Sequence, residues 1–281
     1  MSRTVYINGN FVPEEKAKVS VFDRGFLFAD AVYEVTSVVE GRLLDFDAHI
    51  ARLKRSLSEM DMKMPMSHEE LLAIHRELVE KNNLEEGWVY IQVTRGEADR
   101  DFIYPENLKQ TVVLFTQASK VAYARKGIRV HSSPDLRWAR RDIKTVQLIA
   151  ASLGKTAAKR QGLDDTWLIK DGTVTEGSSS NTYIVTADGK IVTRHLSNSI
   201  LSGITRAAVL RLAAEQNLTI EERPFTIIEA QSATEAFMTS ATSFVTPVIE
   251  IDGTELNNGV PGPVASRLNE IYIEEGKKSA I

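Results

Sequence analysis

The chain has 281 residues, 43% hydrophobic and 26% charged, enough to bury a sizeable core in one large or two moderate domains. A formal net charge of -4 and a pI near 5.8 leave no basic footprint for nucleic acid and make small solutes the expected partners. With no cysteine, disulfides, thiolate chemistry and cysteine-ligated metals are excluded, and the five histidines are scattered without metal-ligand spacing, so no metal is expected. No apolar run approaches the roughly eighteen residues of a membrane span, and MSRTVYINGN opens as a hairpin instead of a signal peptide; a cytoplasmic protein is expected.

From the amino end, Asn8-Gly9 forms the pair of a tight hairpin turn, and AVYEVTSVVEGRLLDF reads as two strands around Glu40-Gly41. Asp45 or Asp47 can cap a helix in which Ile50, Leu53, Leu57 and Met60 recur at helical spacing, which places Arg52 on that helix. Ser67 and Glu70 make a capping box for a second helix to about Asn82. WVYIQVTRG and TVVLFTQAS follow as buried strands joined by the loop RGEADRDFIYPEN. Small and polar residues at 119–126 suggest a linker, dividing the chain into domains at 1–118 and 127–281.

The second part begins with the strand GIRVHSSP and passes through RWARRDIK into a helix from about Val146 to Gln161, which Gly162 stops as a left-handed residue. Hairpins turn at Asp171-Gly172 and Asp188-Gly189, and a helix runs from Gly203 to Asn217. Thr226 with Glu229 is another capping box, EAFMTSATSFVTPVIEI is strand-rich, and Gly262-Pro263 opens a closing helix.

The chemistry concentrates in this second part. Arg137, Arg140 and Arg141 precede Lys144, and neighbouring cations favour the neutral ε-amine, the form that attacks a carbonyl to make a Schiff base. Glu176 stands at a strand end beside a Gly/Ser turn. Gly203, Ile204 and Thr205 start a helix whose first amides have no partner within it, and such amides bind anions. Thr242 in TSATS offers a hydroxyl and an amide, and Arg52 a guanidinium fork suited to phosphate oxygens. Singly, each reads as a surface charge, a helix cap or a polar turn; their conjunction points to a phosphorylated aldehyde cofactor.

The segments DRGFLFADAVYEV, HIARL, DIKTVQLIAASLGK, VTEGSSSN, ILSGITR and TSATS resemble, in order, the motif series of class IV, fold type IV, pyridoxal-phosphate aminotransferases. Within that family they are most similar to D-amino-acid aminotransferases, from Tyr6 to about Pro247. The resemblance implies a two-domain α/β fold, a small N-terminal α/β domain and a larger C-terminal one, with the cofactor at their interface. It implies that Lys144 holds pyridoxal 5'-phosphate as a Schiff base and then moves the proton between substrate Cα and the cofactor, and that Glu176 pairs with the pyridine nitrogen. Arg52, the amides of Ile204 and Thr205, and Thr242 match phosphate-binding positions, Leu201 matches a side chain packed on the ring, and Ser180 and Asn181 line the same turn. In the similar enzymes a tyrosine, an arginine and a histidine hold the substrate carboxylate. Tyr33 and Arg100 match the first two, Phe102 stands at the histidine position, and Ala29 and Ala31 replace glycines common before the tyrosine, where they are expected to crowd a turn. The implied working unit is a homodimer.

The expected activity is a ping-pong exchange of an amino group between D-alanine-like donors and 2-oxo acids such as 2-oxoglutarate. An (R)-selective amine transaminase is the nearest rival, favoured if Phe102 makes the pocket apolar, with branched-chain aminotransferase and aminodeoxychorismate lyase activities also open on this fold. A non-catalytic phosphate-binding scaffold is a reading of another class, and it gives Lys144 and Glu176 no reason to accompany the phosphate cup.

Overall fold

Asn8 and Gly9, at φ 47° and 95°, close a two-residue turn between β1 (Thr4–Ile7) and β2 (Asn10–Pro13), whose ends pair Ile7 with Asn10. This is the first corner of a computed structural model that describes residues 2–121 and 126–281. The chain divides into two compact units. The first runs to Val121 and takes in Ile143–Gln147 and Lys277–Ile281; the second comprises the rest. The linker expected at 119–126 falls in part on residues 122–125, which lie outside the described residues.

In the first unit, α1 (Arg24–Phe28) leads into β3 (Ala31–Val39), which turns through Glu40 and Gly41 into β4 (Arg42–Leu43) as their pairing predicts. Helices α2 (Phe46–Glu59) and α3 (His68–Lys81) follow, then β5 (Glu86–Thr94) and β6 (Thr111–Ala118). The six strands order β2-β1-β6-β5-β3-β4, all antiparallel. The capping box of α3 is complete: Ser67 Oγ accepts from Glu70 N at 3.2 Å and Glu70 Oε2 from Ser67 N at 2.7 Å. Asp45 is the N-cap residue of α2 but adopts a left-handed conformation and makes no side-chain capping bond. Along β3, Val32, Glu34 and Thr36 are buried while Tyr33 and Val35 are half-buried, so the two-residue period gives the strand two unlike faces. Helix α2 packs on β3.

The second unit contains β7 (Ile128–Pro134), α4 (Ile149–Arg160), β8 (Asp165–Lys170), β9 (Thr173–Gly177), β10 (Asn181–Val185), β11 (Ile191–Thr193) and α5 (Ile204–Glu215). It continues through β12 (Ile220–Glu222), α6 (Ile227–Gln231), β13 (Glu235–Ser240), β14 (Phe244–Ile251), β15 (Thr254–Glu255) and α7 (Pro263–Ser279). Its strands order β12-β11-β10-β13-β14-β7-β8-β9, with β15 on β14; β7 runs parallel to both β14 and β8, and β11 parallel to β12. Trp167, Val174, Ile184, Val192, Phe225 and Val248 are buried together in its core. Helix α4 begins at Ile149, three residues later than expected, because 143–147 is drawn out along β3. Its stop at Gly162, φ 76°, is as expected. Among the described residues no helix is long and apolar enough to cross a membrane.

Candidate functional site

Of the expected site residues in the first unit, Lys144 and Tyr33 meet at β3. Tyr33 N donates to Lys144 O at 3.0 Å and Val146 N to Ala31 O at 3.1 Å, so 143–147 lies as a short extended segment against the start of the strand. The Lys144 backbone amide also donates to Ser56 Oγ at 3.3 Å. These bonds deliver the half-buried Lys144 Nζ to 4.2 Å from the centre of the Tyr33 ring. Tyr33 stacks on Tyr90 at 5.4 Å, and Tyr90 on Phe115 at 4.8 Å, giving a row of rings across β3, β5 and β6. Among the described residues, no carboxylate pairs with the Lys144 ammonium.

Arg52 occupies the buried face of α2. Its Nε and Nη2 donate to the two oxygens of Glu34 at 2.7 and 2.8 Å, and His49 Nδ1 lies 2.8 Å from Glu34 Oε2. Residues 49 and 52 are three apart on the helix and so converge on one carboxylate. Burial opposes ionisation of Glu34, yet the guanidinium and His49 hold its carboxyl well below the usual range. Glu34 and His49 were not singled out in the sequence; the signal was an acidic residue among the inward positions of an apolar strand. Arg100 lies exposed on the β5–β6 loop, and Phe102 is 79% exposed there.

In the second unit, Glu176 on β9 is buried. Its Oε2 accepts from Asn181 Nδ2 and from Leu201 N, each at 3.1 Å, and Asn181 Nδ2 also donates to Leu201 O at 3.0 Å. Its other oxygen accepts from Arg137 Nη1. Burial raises the Glu176 carboxyl above its ordinary range, and the guanidinium pulls it back only in part. The three arginines that precede Lys144 in the sequence each have carboxylate partners. Arg137 pairs with Asp135 and Glu176, Arg141 with Asp135, and Arg140 with Asp142. Each guanidinium is thus matched by a carboxylate, and closeness in sequence did not reveal it.

Asn181 starts β10 beside Ser180, whose carbonyl accepts from Gly177 N at 2.8 Å. A Cβ on Gly203 would meet Asn181 Oδ1 at 2.1 Å, so glycine is needed where the Asn181 amide crosses the start of α5. Gly203 is the N-cap of α5 and supplies no side-chain cap to the first-turn amides that include Ile204 and Thr205. Thr205 is buried, with its hydroxyl 3.5 Å from Tyr272 Oη. Thr242 lies exposed in the turn between β13 and β14, which the Ser240 and Ser243 hydroxyls close at 2.6 Å; α5 packs against β13. The structure therefore joins Lys144 with Tyr33, and Glu176 with Asn181 and Leu201, and holds Arg52 on Glu34.

These residues offer three chemistries: an amine without a carboxylate partner, a buried carboxylate bonded by an asparagine and a backbone amide, and a helix start with uncapped amides. Pyridoxal phosphate has an aldehyde, a basic ring nitrogen and a phosphate dianion, so the residues present fit it.

Comparison with known proteins agrees. The family model for amino-transferase class IV matches residues 31–251. A D-alanine aminotransferase of Staphylococcus aureus is 37% identical over 269 residues, 95% of each chain, and one of Listeria monocytogenes 36% identical over 276 residues, 96% of this chain and 95% of that one. Among solved structures, a branched-chain amino acid aminotransferase from T.th. with pyridoxamine 5'-phosphate superposes with a TM-score of 0.91 at 28% identity, covering 98% of this chain and 94% of that one. The branched-chain enzyme of Escherichia coli, TM-score 0.92 at 23% identity over 98% and 95% of the two chains, carries the fold alone. On the match over residues 31–251 and the identity with these relatives, the chain belongs to the class IV amino-transferases.

Proposed function

We propose that this chain is a pyridoxal-phosphate-dependent D-amino-acid aminotransferase, exchanging an amino group between D-alanine-like donors and 2-oxo acids such as 2-oxoglutarate in a ping-pong cycle. The observation that carries the reading is full-length similarity to enzymes named D-alanine aminotransferase, at 36–37% identity, in a chain whose Lys144 ammonium rests on the Tyr33 ring. Bound, pyridoxal phosphate supplies an aldehyde and an electron sink.

The remaining work belongs to the protein. Lys144 would hold the cofactor by its aldehyde group, and its ε-amine, when free, would carry the proton to and from substrate Cα. The Tyr33 ring, 4.2 Å from the Lys144 Nζ, holds the lysine in position. Glu176, fixed by Asn181 and the Leu201 amide, would pair with the ring nitrogen and favour its protonated form; Leu201 would pack on the ring, and Ser180 would line the turn. Ile204, Thr205 and Thr242 would hold the phosphate, joined by Arg52, whose charge is shared with Glu34. Tyr33 and Arg100 hold the substrate carboxylate. The working unit is a homodimer in the cytoplasm.

The test is the visible absorption spectrum with pyridoxal phosphate, before and after D-alanine, L-leucine and (R)-1-phenylethylamine are added separately. Loss of the lysine-bound cofactor band with D-alanine alone is the expected result. A response only to L-leucine or the amine would keep the cofactor and overturn the substrate; no band would overturn both. Phe102, apolar where the similar enzymes place a histidine, is the observation that makes the amine the second reading.

A further inference from the structure

Helix α1 is a little over one turn long and brings residues four apart onto one face, with the Arg24 guanidinium 4.5 Å over the Phe28 ring. The same guanidinium donates through Nε to Asp30 Oδ2 at 2.9 Å and through Nη1 to the Asp101 carbonyl at 2.7 Å. Asp30 Oδ2 also accepts from Arg95 Nε at 2.7 Å, and Arg95 lies 3.8 Å over the ring of Tyr104, which Arg24 approaches to 5.7 Å. At the other end, Arg100 sits 5.5 Å over Phe28 and 5.9 Å over Phe102, and the two phenylalanine rings meet edge-on at 5.7 Å. Three arginines and three aromatic rings thus alternate from Arg95 to Phe102, with Asp30 buried beneath. Backbone bonds fasten the root of the loop to the α1 segment, Arg24 N to Gly96 O at 2.9 Å and Ala98 N to Phe22 O at 3.2 Å.

The three guanidiniums are used differently. Arg24 and Arg95 share Asp30, whereas among the described residues Arg100 pairs with no carboxylate. Ring contacts engage the face of a guanidinium and leave its N–H edge open to an anion. Phe102 is 79% exposed, so no core holds it; its ordered neighbours are Phe28 and Arg100.

We propose that Arg24 is the positioning residue for Arg100, acting through Phe28 and through its bond to the Asp101 carbonyl. Phe102 then supports that arginine by its face, in place of the histidine of similar enzymes. The proposal rests on the carboxylate-binding role given above to Arg100. Its consequence is that the substitution at 102 leaves the specificity with amino acids and 2-oxo acids and does not open it to amines.

Two variants of the holoenzyme test this. Arg24→Lys keeps the charge and loses the fork, and Phe28→Leu keeps apolar bulk and loses the ring. Each is expected to raise the apparent KM for D-alanine by about tenfold with kcat changed by less than about twofold. Each should also speed hydrogen exchange at residues 99–104 while the amides of β3 and β5 stay protected. An unmoved KM, or unmoved exchange in the loop, overturns the positioning role. Should the wild-type protein leave D-alanine untouched, the proposed function falls on that result, and loop exchange in the two variants still decides what Arg24 does.

Discussion

Glu176 is a buried carboxylate held by donors on both of its oxygens. It has an Arg137 ion pair on one oxygen and two N–H donors on the other, which offset part of the cost of burying a charge. Glu176→Gln keeps the shape and removes the charge; kcat for D-alanine should fall roughly tenfold or more, with the visible band of the bound cofactor shifted. Lys144→Ala should lower kcat by about 10³-fold or more, with an unchanged circular dichroism spectrum, and full activity in that variant would remove the lysine from the chemistry. His75 bears on stability instead. It is fully buried, its Nδ1 is 2.7 Å from Leu71 O, and burial pushes its ring down to about 4. The unfolded chain takes up this proton near pH 6.5 and the folded one only near pH 4, so stability is highest above pH 6.5 and falls as the pH drops through that window. The loss attributable to His75 is at most about 3 kcal/mol. Thermal melts of wild type and His75→Leu between pH 7 and 4 should show the variant losing that part of the decline.

At the scale of elements, what was legible was local. The Asn8-Gly9 hairpin, the turn at Glu40-Gly41 and the capping box of α3 were written within a few residues of the bonds they make. The capping box expected at Thr226 formed as one bond, Thr226 Oγ1 accepting from Glu229 N at 3.1 Å, because the Glu229 carboxylate is drawn to Arg223 at 2.6 Å. The arginine pairings around Glu176 were illegible, since they depend on which strands β7 and β9 lie near. The turn before Tyr33 held a different surprise. Ala29 closes α1 in the left-handed region at φ 55°, a conformation that disfavours any residue with a Cβ. Ala29→Gly should therefore stabilise the protein by about 0.5–1 kcal/mol, read as a rise in melting temperature. A fall would mean that the alanine methyl makes contacts worth more than the strain. Gly25 is the opposite case, as a Cβ there would meet Thr94 Cγ2 at 2.5 Å, which fixes glycine at the approach of α1 to β5.

At the scale of the whole molecule, composition set the broad class correctly, and the order of motifs was sufficient to identify the family, but the path of the chain was hidden. The first unit is assembled from three stretches: Ile281 exchanges backbone bonds with Leu43 at 2.8 and 3.1 Å, and 143–147 lies on β3. Nothing in the pattern of DIKTVQ marks it as belonging with the first strands. A fragment ending at Val121 lacks both additions and should show no cooperative thermal transition by circular dichroism. A sharp transition in that fragment would make the two additions accessory.

The bond from Tyr33 N to Lys144 O joins positions separated by a long stretch of chain. During synthesis the amide edge of β3 therefore emerges well before the segment that covers it, and for that interval it is an open template for pairing with another nascent chain. The arrival of 143–147 ends this exposure and, in the same step, seats the lysine over its ring. A ribosome-bound intermediate thus has an open edge on β3, and the contact of Lys144 with the Tyr33 ring can form only in molecules that have already closed that edge.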